Sequence, residues 1–293
     1  MFWRNLSVIA ALIGLLVWLS PQLFQRPTTT GLEIWMLDVG QGESVLVREP
    51  SGKLLLFDGG PDDSVLSQLG AVLPPWQHTI NLVLLSHNHA DHIRGLISVL
   101  KRFTVQQVWD SGSISLSSDF TTFQGEISQQ KIQQTHVFFH QLPCSEICPR
   151  PTAFGEAFLQ VYHPLEDSTG LRPENEHDTD VSIKVSWHNV SIFLAGDLDE
   201  QHEDDMIESC QLPTCTLHAT ILQIPHHGSA TGLSPEFLAA TSPKEAWIPV
   251  GKDNKYGHPR QIILDRLNAA HIPIFRTDQD GRIHRLLVEQ HPP

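Results

Sequence analysis

Four side chains able to bind a metal fall within six residues in the run Ser86-His87-Asn88-His89-Ala90-Asp91-His92. The run follows an apolar stretch, Leu82–Leu85, that reads as a strand, and it opens Ile93–Leu100, which has helical spacing. Imidazole nitrogen and carboxylate oxygen are ligands that divalent zinc accepts, and a catalytic zinc keeps one position open. His87 and His89, two apart in extended backbone, project to one side and can serve one metal. Asp91 and His92 enter the helix on a different side and can serve a second. The helix N-terminus offers N–H groups to a nearby anion. A set of surface histidines is the plainer reading, but an apolar strand that delivers four ligands has no cheap packing explanation.

The chain has 293 residues, enough for one large domain or two small ones. It carries 33 Asp and Glu against 19 Lys and Arg, a net charge of −14, and 17 histidines besides. That balance argues against a protein that grips duplex DNA with a broad basic face. It does not exclude an enzyme that carries its positive charge as bound metal. An apolar content of 40% excludes a disordered chain, while 20 Pro and 19 Gly point to many loops.

Arg4 precedes an uncharged segment, Leu6–Leu19, shorter than the ~20 residues that span a bilayer. The flanks Phe2-Trp3 and Leu23-Phe24 bring it near spanning length. An uncleaved anchor, a cleaved signal peptide and a buried core helix compete here. No small-x-small cleavage site follows, and the early Arg4 fits an N-terminus left in the cytoplasm, so the anchor is preferred. Residues 1–31 are then anchor and linker, and 32–293 the globular domain. This expects a bacterial-type inner-membrane protein, single-pass, with its domain on the periplasmic side; secretion is the alternative. Two close cysteine pairs, Cys144/Cys148 and Cys210/Cys215, sit in Pro-containing loops and suit local disulfides in an exported domain.

Beyond residue 31, short strands alternate with helices and no internal repeat is visible. Leu32–Leu37, Val45–Val47, Lys53–Phe57, Leu159–Tyr162, Ile221–Ile224, Ala246–Val250 and Ile283–Val288 read as strands. Val181–Trp187 and Ser191–Leu194 read as a hairpin, and Ser64–Leu73, Asp199–Ile207 and Gln261–Ala270 as helices. Ser111–Phe139 is polar and gives weak signals, and Asp280-Gly281 has the form of a hairpin turn. The pattern predicts a mixed α/β layered domain.

Further motifs follow in order: Leu37-Asp38-Val39-Gly40-Gln41-Gly42, Phe57-Asp58-Gly59-Gly60-Pro61, Ala195-Gly196-Asp197, Pro225-His226-His227-Gly228-Ser229 and Tyr256-Gly257-His258-Pro259. With the His-x-His-x-Asp-His run, the chain resembles the metallo-β-lactamase superfamily. Within it, the set is similar to the hydrolase domain of ComEC-type DNA-uptake (competence) proteins, over about residues 32 to 290 and without the channel. The resemblance implies an α+β or α/β fold, a four-layer αββα sandwich preceded by one N-terminal apolar helix. It implies two divalent ions, zinc or alternatively manganese or iron, and a metal-bound hydroxide that attacks a phosphodiester, single-stranded DNA among the candidates. Inner membrane and envelope or DNA-uptake partners follow from the same likeness.

By this resemblance the metal ligands are His87, His89, Asp91, His92, Asp197 and one or both of His226 and His227. Adjacent residues in extended backbone point opposite ways, so one of that pair is expected to bind metal and the other either to bind substrate or to support the ligands from behind. His177, Asp178 and Asp180 are alternatives for completing the first metal. Asp91 and His258 are the expected catalytic residues, His258 by protonating a leaving group or neutralising a phosphoryl oxygen. Ser229, Asn254 and Tyr256 are expected to contact substrate, and Asp58 to support the site from behind. The chain departs from the family at Arg94-Gly95, where Gly-Gly is usual; Arg94 either meets an anionic substrate or faces solvent. His163 is read as structural, and His78, His136, His140, His202 and His271 as surface residues. Two other functions remain open: hydrolysis at carbon, of esters, lactones or β-lactams, and a non-catalytic metal-binding accessory module. The acidic surface favours a small substrate entering a cleft.

Overall fold

Short apolar runs make fourteen strands among the described residues, and these divide into two sheets of seven. The structure, a computed structural model, describes residues 29–139, 151–210 and 215–289. The expected N-terminal helix and the Cys144/Cys148 pair lie outside that range. Cys210 and Cys215 are joined by a disulfide.

The first sheet holds β1 (Leu32–Met36), β2 (Val45–Arg48), β3 (Leu54–Phe57), β4 (Thr79–Leu84), β5 (Thr104–Asp110), β6 (Gln133–His136) and β14 (Ile283–Leu287), in the order β14-β1-β2-β3-β4-β5-β6. The second holds β7 (Thr152–Phe154), β8 (Ala157–His163), β9 (Ser182–Trp187), β10 (Val190–Leu194), β11 (Ile221–Gln223), β12 (Glu245–Ile248) and β13 (Ile274–Arg276), in the order β13-β12-β11-β10-β9-β8-β7. In each sheet three antiparallel pairings lead into three parallel ones: β3-β4-β5-β6 in the first and β10-β11-β12-β13 in the second. The two halves thus repeat one topology, which the sequence does not show as a repeat.

Helices α1 (Ser64–Val72), α2 (Ala90–Arg102) and α3 (Ser118–Gln130) cover the first sheet. Helices α4 (Glu200–Ser209), α5 (Pro235–Thr241) and α6 (Gln261–Ala269) cover the second. Ile34, Val47, Leu55 and Leu84 meet Ile183, Ile192, Ile221 and Trp247 between the sheets. The central strands β2, β3, β10 and β11 therefore bury both faces, which is why several strands read as continuous apolar runs. The result is the expected four-layer αββα sandwich.

Two parts of the sequence reading are corrected. Ser111–Phe139 contains a full helix and a strand, and Thr104–Asp110 is a strand that the reading passed over. Ser117 caps α3, its hydroxyl accepting from Phe120 N, and Phe120, Phe123 and Ile127 supply the buried face. Asp280-Gly281 is not a hairpin turn: it ends a one-turn helix, α7 (Thr277–Asp280), that carries the chain from one sheet to the other.

Candidate metal centre

In sheets with parallel strands, side chains for chemistry gather beyond the carboxyl ends of those strands. Both halves of this molecule do so, at one shared edge. Asp58 follows β3 and the 86–92 run follows β4; Asp197 follows β10 and His226-His227 follows β11.

Three donor groups form among the described residues, and two of them meet at Asp197. One atom each from His87, His89, His177 and Asp197 lie within 4.8 Å of one another, and Asp91, His92 and His227 form a second such group. Asp197 faces both. Its Oδ2 lies 3.5 Å from His92 Nε2 and 4.0 Å from His87 Nε2, and its Oδ1 3.7 Å from His227 Nε2. The order His87/His89 against Asp91/His92 is the one the sequence predicts.

The outer nitrogens of the rings are already engaged. Nδ1 of His92 is 2.7 Å from Asp58 Oδ2. Nδ1 of His177 is 2.7 Å from the Asp197 carbonyl, and Nδ1 of His227 is 2.8 Å from the Pro249 carbonyl. Carbonyl and carboxylate oxygens accept, so these Nδ1 atoms carry a proton and each Nε2 is left turned inward. His92 Nε2, His227 Nε2 and Asp197 Oδ1 are buried with no hydrogen-bond partner. Orphaned buried donors of this kind fit a cation.

The charges say the same. Burial favours the neutral acid at Asp197, but His227, His92 and His87 hold its carboxyl well below the usual carboxylate range. Burial likewise opposes charge on His92, yet Asp197, Asp58 and Asp91 keep that imidazole well above the ordinary histidine range. His87 is pushed down by burial. Without metal, protons on histidine balance the carboxylates; divalent ions are the natural replacement.

Backbone contacts fix this arrangement. Glu43 N donates to the Asp91 carbonyl at 3.2 Å. A Cβ on Gly42 would meet that same oxygen at 2.4 Å, so only glycine lets the 40–43 loop lie there. Asn88, between two ligands, donates to Ser113 Oγ and Glu176 Oε2, each at 3.2 Å, and ties the 86–92 loop to the turn that carries His177.

Several expectations change. His226 and His227 do not sit in extended backbone: both are left-handed, with φ of 48° and 55°. The turn brings both rings to the site. His227 joins the second group, while His226 stands beside His177 and His258, its ring 4.7 and 5.8 Å from theirs. Of the three alternatives for the first group, His177 is the one that joins it. Asp180 lies behind, accepting from Asp197 N at 2.5 Å, and Asp178 is outside, 3.6 Å from His202. Ser229 does not line the cavity; its hydroxyl pairs with Thr231 at 3.0 Å. Asn254 spends its amide on its own loop, bonding Gly251 O, His258 O and His258 N. Tyr256 and His258 do line the cavity, about 360 Å³, with His89, Asp91, His177 and His226. Asp58 lies where expected, holding Ser86 N and Ser86 Oγ as well as His92. Arg94 is half-exposed and pairs with Asp119 at 2.8 Å. His163 is buried against the Asp180 carbonyl.

Glu43 is a residue the sequence reading missed. It is buried beside Asp58 and His92 with both carboxylate oxygens unpartnered, and burial, then the charge of Asp58, pushes its carboxyl up. An acidic residue leading straight into an apolar strand, Glu43-Ser44-Val45, was the available signal.

Comparison with known proteins agrees with this layout. A family model of the metallo-beta-lactamase superfamily matches residues 37–252. The chain is 26% identical over 310 residues to ComE operon protein 3 of Bacillus subtilis (strain 168), covering 96% of this chain and 36% of that protein. It is 26% identical to competence protein ComA of Neisseria gonorrhoeae, covering 85% of this chain and 31% of that one. The chain thus spans about a third of the length of these curated relatives. Among solved structures, the diiron β-hydroxylase CmlA from Streptomyces venezuelae shares the fold at a TM-score of 0.53 and 15% identity, over 89% of this chain and 55% of that one.

Proposed function

This chain belongs to the metallo-beta-lactamase superfamily, and on that premise we propose that it is a two-metal hydrolase of phosphodiesters. The observation that carries the reading is Asp197, one carboxylate turned to both donor groups, whose Oδ1 is buried without a hydrogen-bond partner, as are the inward nitrogens of His92 and His227.

His87, His89 and His177 would hold one ion, Asp91, His92 and His227 the other, and Asp197 would touch both. When bound, such a pair makes water nucleophilic near neutral pH and offsets charge that builds on phosphoryl oxygens. The chain's own residues supply the rest. Asp58, the Asp197 carbonyl and the Pro249 carbonyl fix the ring orientations. Burial and the neighbouring His227 and Arg260 hold His258 below the ordinary histidine range. A neutral His258 can place an N–H on a substrate oxygen at the cavity wall, the role of a hydrogen-bonding partner rather than a cationic acid. His226, pushed down to about 4 chiefly by burial, is likewise neutral at the cavity rim.

The same proposal has the domain tethered outside the cytoplasm by the segment around Leu6–Leu19. Among the described residues no helix is long and apolar enough to cross a membrane. A reporter active only in the periplasm, fused after residue 293, should be active; an inactive reporter overturns this placement.

The activity is tested with the full chain, metal-loaded, on bis(4-nitrophenyl) phosphate, a chromogenic lactone and a chromogenic β-lactam. Phosphodiester turnover that a chelator abolishes is the expected result. Turnover of the lactone or β-lactam alone moves the reaction to carbon. Two bound metals with no turnover on any substrate favours a metal-binding accessory module.

A further inference from the structure

We propose that the metal centre opens into a preformed neighbouring subsite, built on Tyr256, Lys252 and Lys255, that holds the nucleotide unit next to the scissile phosphate. This rests on the phosphodiesterase reading and gives its substrate a minimum length.

A second cavity of about 560 Å³ adjoins the metal-lined one. The two share Gln41, Ala90, Asp91 and Tyr256. A group attached to phosphorus at the metal centre can therefore continue past Asp91 without leaving the protein surface. The volume lies within the ~300–1,000 Å³ of small-molecule sites.

The walls are fixed in advance. Gly251 N donates to Gln41 Oε1 at 3.1 Å, and a Cβ at Gly251 would meet Gln41 N at 2.6 Å. The lysine-bearing loop is thus bolted to the Gly40–Gly42 loop, and the three hydrogen bonds of the Asn254 side chain hold its curve. Asn254 shapes this wall and leaves contact to its neighbours.

The lining has three chemical parts. Tyr256 stands at the partition with 55% of its surface exposed, its ring 5.8 Å from that of His258 and tilted 31° to it. An aromatic face left open at a cavity mouth is a stacking platform that accepts any base. Lys252 and Lys255 are exposed and, among the described residues, have no carboxylate partner, whereas Arg94, which lines the same cavity, is engaged by Asp119. Asp38 and Asp253 line the same cavity. That mixture disfavours a bare polyanion, which the acids would repel. It suits a nucleotide, whose phosphate meets the lysines and whose base N–H groups meet the carboxylates. A chain of net charge −14 can in this way hold nucleic acid through stacking and two local cations, without a basic face.

The test uses the full-length, metal-loaded protein and two probes: a 5′-phosphorylated thymidine dinucleotide with a phosphorothioate linkage, and inorganic phosphate, too small to span the metal centre and the lysines together. Calorimetric titration compares wild type, Lys252→Ala/Lys255→Ala and Tyr256→Ala. The expected result is a dinucleotide-to-phosphate affinity ratio that falls about tenfold in each variant. The lysine pair should also flatten the salt dependence of dinucleotide binding by about 0.7 log units per log unit of salt, the share of one phosphate. A ratio equal to that of wild type in both variants overturns the subsite, and so does a parallel loss of both probes, which a purely structural role would give. Turnover of bis(4-nitrophenyl) phosphate, measured alongside, separates the two claims. Turnover with unchanged ratios removes the subsite alone; falling ratios without any phosphodiester cleavage remove the phosphodiesterase reading alone.

Discussion

Asp58 Oδ2 lies 2.7 Å from His92 Nδ1, joining the end of β3 to the helix that follows β4. The same carboxylate accepts from Ser86 N at 2.8 Å, so one buried side chain fixes both ends of the ligand run. Asp58→Asn keeps the size and removes the charge that orients His92. Metal affinity should fall by ~10–100-fold with the fold retained. Competition against a chromogenic chelator, with circular dichroism as the control, measures this. Unchanged affinity would show that His92 needs no such support.

Much of this arrangement is legible in the sequence because it is local. His87, His89, Asp91 and His92 lie in one run whose flanking strand and helix are strongly patterned. Asp58 and Asp197 each end an apolar strand beside glycine. What escaped depends on backbone turns or on distant contacts. His226 and His227 would alternate only in extended backbone, and the left-handed turn reverses that inference. His177 sits on a 3-10 turn, Glu176–Thr179, that has no periodic signature to separate it from Asp178 and Asp180. Ser229 and Asn254 are polar residues in the right loops, but their hydrogen bonds close on the loop itself. Helix α3 is rich in Gln, Ser and Thr, so its apolar spacing at Phe120, Phe123 and Ile127 is easily passed over.

Gly95 is the part of the Arg94-Gly95 pair that the fold requires. A Cβ there would meet the Gly59 carbonyl oxygen at 1.8 Å, where α2 crosses the Asp58-Gly59-Gly60 turn. Gly95→Ala should cost about 3 kcal/mol, the upper end of overpacking, and lower the midpoint of thermal unfolding by roughly 6–12 °C. Arg94→Ala, on the exposed side, should change stability by less than ~0.5 kcal/mol. Scanning calorimetry of the two variants checks the contrast; equal effects would mean that the crossing is not tight.

Glu203 gives stability a pH dependence of its own. Its carboxyl is buried on α4, accepting from Leu233 N and Ser234 N. Burial pushes it up to about 7, against those N–H groups, from an ordinary 4.5. The folded value exceeds the unfolded one, so the contribution is whole below about 4.5 and is lost as pH rises through about 7. The loss is at most about 3 kcal/mol. Urea unfolding of wild type against Glu203→Gln, from pH 4.5 to 8, should show a steeper decline in wild type. Parallel curves would place the ionisation elsewhere.

The central claim is that two ions share Asp197, one held from the His87 side and one from the Asp91 side. Elemental analysis of the purified full chain, wild type beside Asp91→Ala, tests it most directly. The account predicts two metals per chain in wild type, about one in Asp91→Ala, and loss of phosphodiester turnover with the second. A metal content unchanged by the substitution would contradict it.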